Sequence, residues 1–346
     1  MRARSWLAGL ASLGVRTLGT GSNSINCPSK MPKALQKVRT LGHGPLDTPD
    51  PFLFCVYHKD NYPAGNSKME VTERVGNGND FNPDAEYRMY HGGRVPGFPQ
   101  HPHRGFETIT ATLEGLCDHT DSLGNAGRFG DGDLMWMTAG KGIVHGEMFP
   151  LVEQEKRNKL RFFQIWINLP KKSKMVEPDF EMQWAEEVKV WQSADEKARV
   201  IVWAGEFDGV KSGGTPPKNS WANEKDGNVG VYHISLDNGG VVEIPATKGP
   251  KMNRYIYLVE GQTVEVDGTV VKKDSNRVVL CEVDPALPIT LKGISSTPSE
   301  FLVLEGRPIE EPVAQHGPFV MNSQDEIAKA FQDYQQTKFG GWPWKE

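Results

Sequence analysis

Acidic residues are missing from the first 46 positions; Asp47 is the first of 44 in the 346-residue chain. The same stretch carries Arg2, Arg4, Arg16, Lys30, Lys33, Lys37 and Arg39, with several Ser and Thr. A basic, Ser-rich, acid-free start is the composition of an organellar transit peptide, and Trp6, Leu10 and Leu13 share one helical face. Gly and Ser interrupt the apolar residues too often for a secretory signal. The expectation is a disordered basic extension over 1–37, targeting the chain to a mitochondrion or plastid. A plain basic tail, or translation starting at Met31, would leave the protein in the cytoplasm or nucleus instead.

Long apolar runs are also lacking. No uncharged stretch approaches the ~18 residues of a membrane span. Cysteine is scarce: Cys27, Cys55, Cys117 and Cys281 are far apart with no CxxC pair. That spacing indicates neither a zinc knuckle nor a disulfide framework and fits buried thiols in a reducing compartment. Net charge is small, since 39 basic residues against 44 acidic leave −5. No electrostatic footprint for direct nucleic-acid contact results.

Helical periodicity is rare as well, and 37 Gly and 24 Pro punctuate the chain. What remains is a succession of short alternating runs. FLFCVYH (52–58), FETITATLEG (106–115), DLMWMTAG (133–140), IVHGEM (143–148) and RFFQIWINL (161–169) read as strands with one face buried. A Gly- and Asn-rich loop spans 61–99. PKKSKMVEPDFEMQW reads as a crossover, after which RVIVWAG (199–205) resumes the strands. VYHISLD, VVEIPA, RYIYLVEG, TVEVDGTVV, NRVVLCEV and EFLVLEG then give a second all-β set. Asp267-Gly268 supplies the positive φ of a two-residue hairpin. The pattern is an antiparallel barrel or sandwich in each half. TITATLEG and RYIYLVEG echo one another, and superposing them puts Thr247 and Gly249 where the first half has His101 and His103. Ser323 and Glu326 form a capping-box pattern for one C-terminal helix carrying Ile327, Phe331 and Tyr334, with Gly340 as its stop.

The chemistry concentrates in GFPQHPHRGFETITATLEG and GDLMWMTAGKGIVHGEMFP. His101 and His103 lie two apart, as do His145 and Glu147, so on strands each pair shares a face. Neighbouring strands would aim three imidazoles and a carboxylate at one point. An N/O donor set of this kind suits a mononuclear non-haem iron site with open positions better than a closed zinc site; manganese, nickel, copper and zinc remain alternatives. Glu107 lies four residues from His103 and is expected on the same face, as a fifth ligand or as the acceptor for an imidazole N–H. Arg104 reads as balancing a carboxylate or as a solvated strand end. His119 reads as a surface loop residue, and His58, His91 and His233 have no partner at ligand spacing. Phe52, Phe98, Phe106, Trp136 and Phe149 read mostly as core.

At these residues the sequence resembles the pirin family of the cupin superfamily. GFPQHPHRGFET, GDLMWMTAGKGIVHGEMFP and QHGPFVMN are similar to pirin segments, and the resemblance runs from about residue 40 to 335. It implies an all-β fold of two stacked cupin-type antiparallel barrels (a bicupin) with a short C-terminal helix. The metal-binding barrel would span 38–178 and the degenerate barrel 179–346. It also implies one Fe(II)/Fe(III) per chain on His101, His103, His145 and Glu147, with Glu107 outside the ligand set. Two activities attach to the family. One is quercetin 2,3-dioxygenation of a small planar phenol with dioxygen, for which Glu147 or Glu107 would be the base. The other is an iron-dependent, redox-sensitive transcriptional co-regulator acting through a protein partner. The enzyme reading is preferred, for a monomer without membrane or direct nucleic-acid contact.

Overall fold

A computed structural model describes residues 33–73, 82, 85–274 and 277–344. Residues 1–32 of the expected targeting segment, Cys27 among them, lie outside the described residues. Alternation of apolar and polar residues builds the chain into antiparallel strands. Asp179–Gln183, Leu134–Thr138, Phe106–Glu114, Asn158–Asn168 and Phe52–Tyr62 form a five-stranded sheet in that order. Gly97–His103, Ile143–Met148, Leu116–Asp121 and Ala126–Gly130 form a four-stranded one. Cys117 and Phe129 from the smaller sheet pack on Met135, Leu160 and Phe162 from the larger.

The later chain gives a seven-stranded sheet, ordered Leu35–Thr40, Val279–Val283, Asn253–Glu260, Ser299–Gly306, Gly230–Leu236, Ala198–Ala204 and Lys189–Gln192. Its partner is the four-stranded sheet Val241–Ile244, Ile289–Gly293, Thr263–Val266, Thr269–Lys272. Val242, Val264 and Leu291 pack on Val200, Ile234 and Val303 between them. The two large sheets lie back to back, burying Ile109, Trp136, Phe163 and Ile165 against Trp203, Val231, Tyr257 and Leu302. Burial of this apolar surface, at roughly 25 cal/mol per Å², holds the halves together.

The expected pair of barrels is not found: no sheet closes on itself. The reason lies in how the chain changes sheets. Gly105 (φ +85°) separates His103 in the four-stranded sheet from Phe106 in the five-stranded one. Gly115 (φ +83°) makes the reverse transfer between Glu114 and Leu116. These positive-φ turns end one hydrogen-bond ladder before the next begins, so open sandwiches result. Two strands lie across the expected boundaries. Leu35–Thr40 begins inside the segment set aside as an extension to residue 37, and it edges the seven-stranded sheet. Asp179–Gln183 lies past the expected break at 178 yet pairs with Leu134–Thr138 of the first half.

The terminal elements follow the sequence closely. Asp267 and Gly268 both have positive φ and join Thr263–Val266 to Thr269–Lys272. Helix Gln324–Thr337 opens on the Ser323–Glu326 capping box and ends at Lys338 (φ 49°), ahead of Gly340. It packs Ile327, Ala330, Phe331 and Tyr334 on the hairpin Ala314–His316/Phe319–Met321.

Buried polar groups interrupt the back-to-back interface, among them His233 beside Phe163 and Trp203, and Glu107. Glu107 is fully buried there, accepting from Thr138 Oγ1 at 2.6 Å and Ser220 Oγ at 2.5 Å. Burial pushes its carboxyl up to about 7, against the opposing pull of the two hydroxyls.

Two predictions follow from these contacts. A Cβ on Gly105 would meet the Val320 carbonyl at 2.0 Å, so Gly105→Ala should destabilise the fold by on the order of 3 kcal/mol in denaturant unfolding. For Glu107, the folded state holds its proton more tightly than the unfolded chain, so stability falls as pH rises from about 4.5 to about 7 and is flat above. Glu107→Gln should remove that slope, a difference of at most about 3 kcal/mol between pH 5 and pH 8. Parallel pH slopes for the two proteins would show that burial does not raise this carboxyl.

Candidate metal centre

Strands Gly97–His103 and Ile143–Met148 pair with His101 opposite His145. A register shift between Phe98 and His101 bulges the first strand and turns its imidazoles inward. One ring nitrogen from each of His101, His103 and His145 lies within 4.8 Å of the others. His101 is half-buried, and the other two are buried.

The hydrogen bonds decide where the protons are. His101 Nδ1 meets the Pro99 carbonyl at 2.8 Å, and His103 Nδ1 meets the Pro318 carbonyl at 3.4 Å. A carbonyl only accepts, so both Nδ1 atoms carry hydrogen and both Nε2 atoms carry lone pairs. Those two Nε2 atoms face each other at 3.1 Å. Neither ring nitrogen of buried His145 has a hydrogen-bond partner. Burial lowers His101 to about 4 and holds His103 and His145 well below the usual imidazole range. Three neutral imidazoles thus converge lone pairs on a space that no protein donor fills. A cation resolves this arrangement, and these residues fit one.

Glu147 is not in that close group of ligand atoms. It is buried on the same strand as His145, and its Oε1 accepts from Thr110 Oγ1 at 2.7 Å. Burial raises its pKa. The shared face expected for His103 and Glu107 does not occur, because the Gly105 turn intervenes. Beyond it Phe106 contacts the His103 ring at 5.0 Å and Thr110 reaches Glu147, so even-numbered residues of Phe106–Glu114 face the centre. Glu107 faces the opposite way, towards Ser220, and can be neither ligand nor base there.

His119 departs from its expected surface position. It is buried on Leu116–Asp121, opposite Glu147 in the ladder, with Nε2 3.3 Å from Asp121 Oδ2. Its ring lies 5.5 Å from that of His145. His58 and His233 also have partners, Tyr90 and Glu300. Arg104 is buried, donating to Asp333 at 2.8 Å and to the Lys141 carbonyl at 2.6 Å. Sequence reasoning missed Thr110, Pro318 and Asp333. Pro318 sits within the QHGPFVMN segment, but a role for its carbonyl cannot be read from residue type.

Family comparison agrees with this geometry. Residues 34–167 match the pirin family model, and residues 231–340 match the model of the pirin C-terminal cupin domain. Pirin of Rattus norvegicus is 37% identical over 257 residues, covering 72% of this chain and 80% of its own length. A candidate quercetin 2,3-dioxygenase of Pseudomonas aeruginosa is 37% identical over 240 residues, covering 69% and 79%. The crystal structure of a quercetin 2,3-dioxygenase from Acinetobacter baumannii is similar with a TM-score of 0.68 at 25% identity, over 89% of this chain and 96% of that one. With both halves matched and the imidazole cluster in the first of them, the chain belongs to the pirin family of the cupin superfamily.

Proposed function

We propose that this chain holds one iron ion on His101, His103 and His145, with Glu147 as the fourth donor, and cleaves flavonols with dioxygen as a quercetin 2,3-dioxygenase. The observation that carries the reading is the set of three neutral imidazoles whose free lone pairs converge. The similarity to proteins named as quercetin 2,3-dioxygenases supports the substrate class. Bound iron would supply Lewis acidity towards an enolic hydroxyl and a one-electron couple for dioxygen chemistry.

The protein's own contribution is positioning and proton transfer. Pro99 and Pro318 carbonyls fix the ring orientations of His101 and His103 by holding their Nδ1 hydrogens. Trp166 and Phe106 wall the His103 ring, at 5.4 and 5.0 Å between centroids. Glu147 receives the proton of the substrate's 3-hydroxyl. Thr110 steadies the carboxylate while it does so, through the Oγ1 hydrogen bond.

Anaerobic iron reconstitution followed by oxygen uptake with a panel of flavonols and other enolic phenols tests the activity. Uptake with flavonols is expected, and uptake with no member of the panel overturns the substrate assignment. Glu147→Gln should keep most of the iron, through the three imidazoles, while flavonol-dependent uptake falls ~10²–10⁴-fold. Full turnover by that variant would remove Glu147 from the mechanism. His145→Ala should lower iron content itself, as read by metal analysis.

A further inference from the structure

Strand Phe52–Tyr62 and residues 88–90 share a buried polar chain which the metal chemistry above does not use. Tyr90 is 4% exposed, and its φ is 52°. For a bulky aromatic residue that is a strained backbone, which persists only where the surroundings enforce it. The surroundings here are specific. Tyr90 Oη donates to Asp60 Oδ2 at 2.8 Å and accepts from His58 Nδ1 at 2.7 Å. Asp60 is itself held by the Arg88 backbone N–H at 2.8 Å and the Arg88 guanidinium at 3.1 Å, both on Oδ1. The oxygen facing the phenol is thus left to the phenol's proton.

The rings around Tyr90 lead towards the imidazole cluster. Its centroid is 4.9 Å from Phe98, and Phe98 is 6.4 Å from His101. His58 stacks on Phe162 at 4.4 Å, which fixes the imidazole against the phenol. His58, Asp60 and Tyr90 also border a groove of about 1160 Å³, through which a small reagent can approach.

A phenol is hard to oxidise in an apolar interior because the radical cation is a strong acid with nowhere to send its proton. A carboxylate at 2.8 Å removes that obstacle, and an N–H donor stabilises the oxygen of the neutral radical. We propose that Tyr90 is a redox-active tyrosine. It gives one electron to a metal-complex oxidant, either the metal held by the imidazole cluster in a higher oxidation state or an added outer-sphere complex. The O–H bond breaks, the proton passes to Asp60 Oδ2, and a neutral tyrosyl radical accepts from His58 Nδ1–H. The oxidant is reduced by one electron.

Other tyrosines are less suited. Tyr62 and Tyr257 donate to the backbone carbonyls of Arg88 and Asp47, which cannot take a proton at neutral pH. Tyr57 and Tyr232 reach the carboxylates of Glu260 and Glu305, but their ring contacts are with Phe163 and Phe207, neither of which stacks on His101, His103 or His145.

The test uses the full chain loaded with zinc, so that the bound metal is redox-silent and flavonol turnover plays no part. Hexachloroiridate(IV) is the oxidant, and freeze-quench electron paramagnetic resonance is the readout. A tyrosyl signal that narrows with ring-deuterated tyrosine is expected. Tyr90→Phe should lower its yield at least fivefold, Asp60→Asn should do the same while keeping the phenol, and Tyr57→Phe should leave it unchanged. A further measurement needs no variant: replacing zinc by paramagnetic cobalt(II) should raise the power needed to saturate the wild-type signal, because the radical sits two ring contacts from the cluster. The proposal is overturned if the wild-type chain gives no tyrosyl signal, if Tyr90→Phe gives the same yield and line shape, or if cobalt leaves saturation unchanged.

Discussion

A buried ammonium ties the chain together where its sheets change. Lys174 is 1% exposed, and its Nζ donates to the Gly105 carbonyl at 2.8 Å, Asn168 Oδ1 at 2.7 Å and the Val320 carbonyl at 3.2 Å. Three donors meet three acceptors, none of them charged, and burial pulls the amine down to about 8. Those acceptors belong to the turn after His103, the end of Asn158–Asn168 and the C-terminal hairpin. Leaving them unsatisfied would cost ~1–3 kcal/mol for each buried group. Arg104 works beside it, bonded to Asp333 of the helix and lying under the Phe339 ring at 4.5 Å. The orientation of His103 is therefore fixed by residues more than two hundred positions later in the chain, including the Pro318 carbonyl.

The two sandwiches divide the work unequally. Among the described residues, only Ser220, His233, Arg254, Ser299 and Glu305 are buried polar side chains beyond Gln183. The first half buries His58, Asp60, His103, Arg104, His119, Asp121, His145 and Glu147, among others. Buried polar groups are tolerated only when partnered, and each partner restricts the packing around it. The first half can hold so many because its five-stranded sheet rests on the apolar back of the seven-stranded one. Ile109, Phe163 and Ile165 alternate along the strands with site-facing Thr108, Thr110 and Gln164, so each strand has one structural face and one chemical face.

Much of this was legible in the sequence, and what was not has particular causes. Period-two alternation identified the strands, Asp267-Gly268 the hairpin, and Ser323 with Glu326 the helix start, because each depends on neighbours a few residues away. The HxH and HxE spacing picked out the imidazoles that converge. The error on Glu107 came from extending one strand's periodicity across Gly105, where a positive φ resets the face. His119, expected on a surface loop, is instead buried on a central strand with Asp121 as its partner. Barrel closure is set by tilt and register around a whole sheet, which no local pattern encodes. Likewise no signal marks the Pro318 carbonyl or the Lys174 ammonium, since both act through contacts distant in sequence.

Burial moves the acids and bases of the centre in opposite directions, and this constrains what can occupy it. His101, His103 and His145 are pushed down and Glu147 is pushed up, so every group is driven towards its neutral form. Three neutral imidazoles, two of them with facing lone pairs at 3.1 Å, are poorly matched to an apolar occupant, which would leave the nitrogens unsatisfied. They are equally poorly matched to an anion, which would add repulsion to each lone pair. A divalent cation reverses all four penalties together: it takes up the lone pairs, needs no proton displaced from the imidazoles, and favours the ionised form of Glu147. Occupancy by a cation and stability of the first sandwich are therefore linked, because the same desolvation that makes the empty arrangement costly makes the filled one tight.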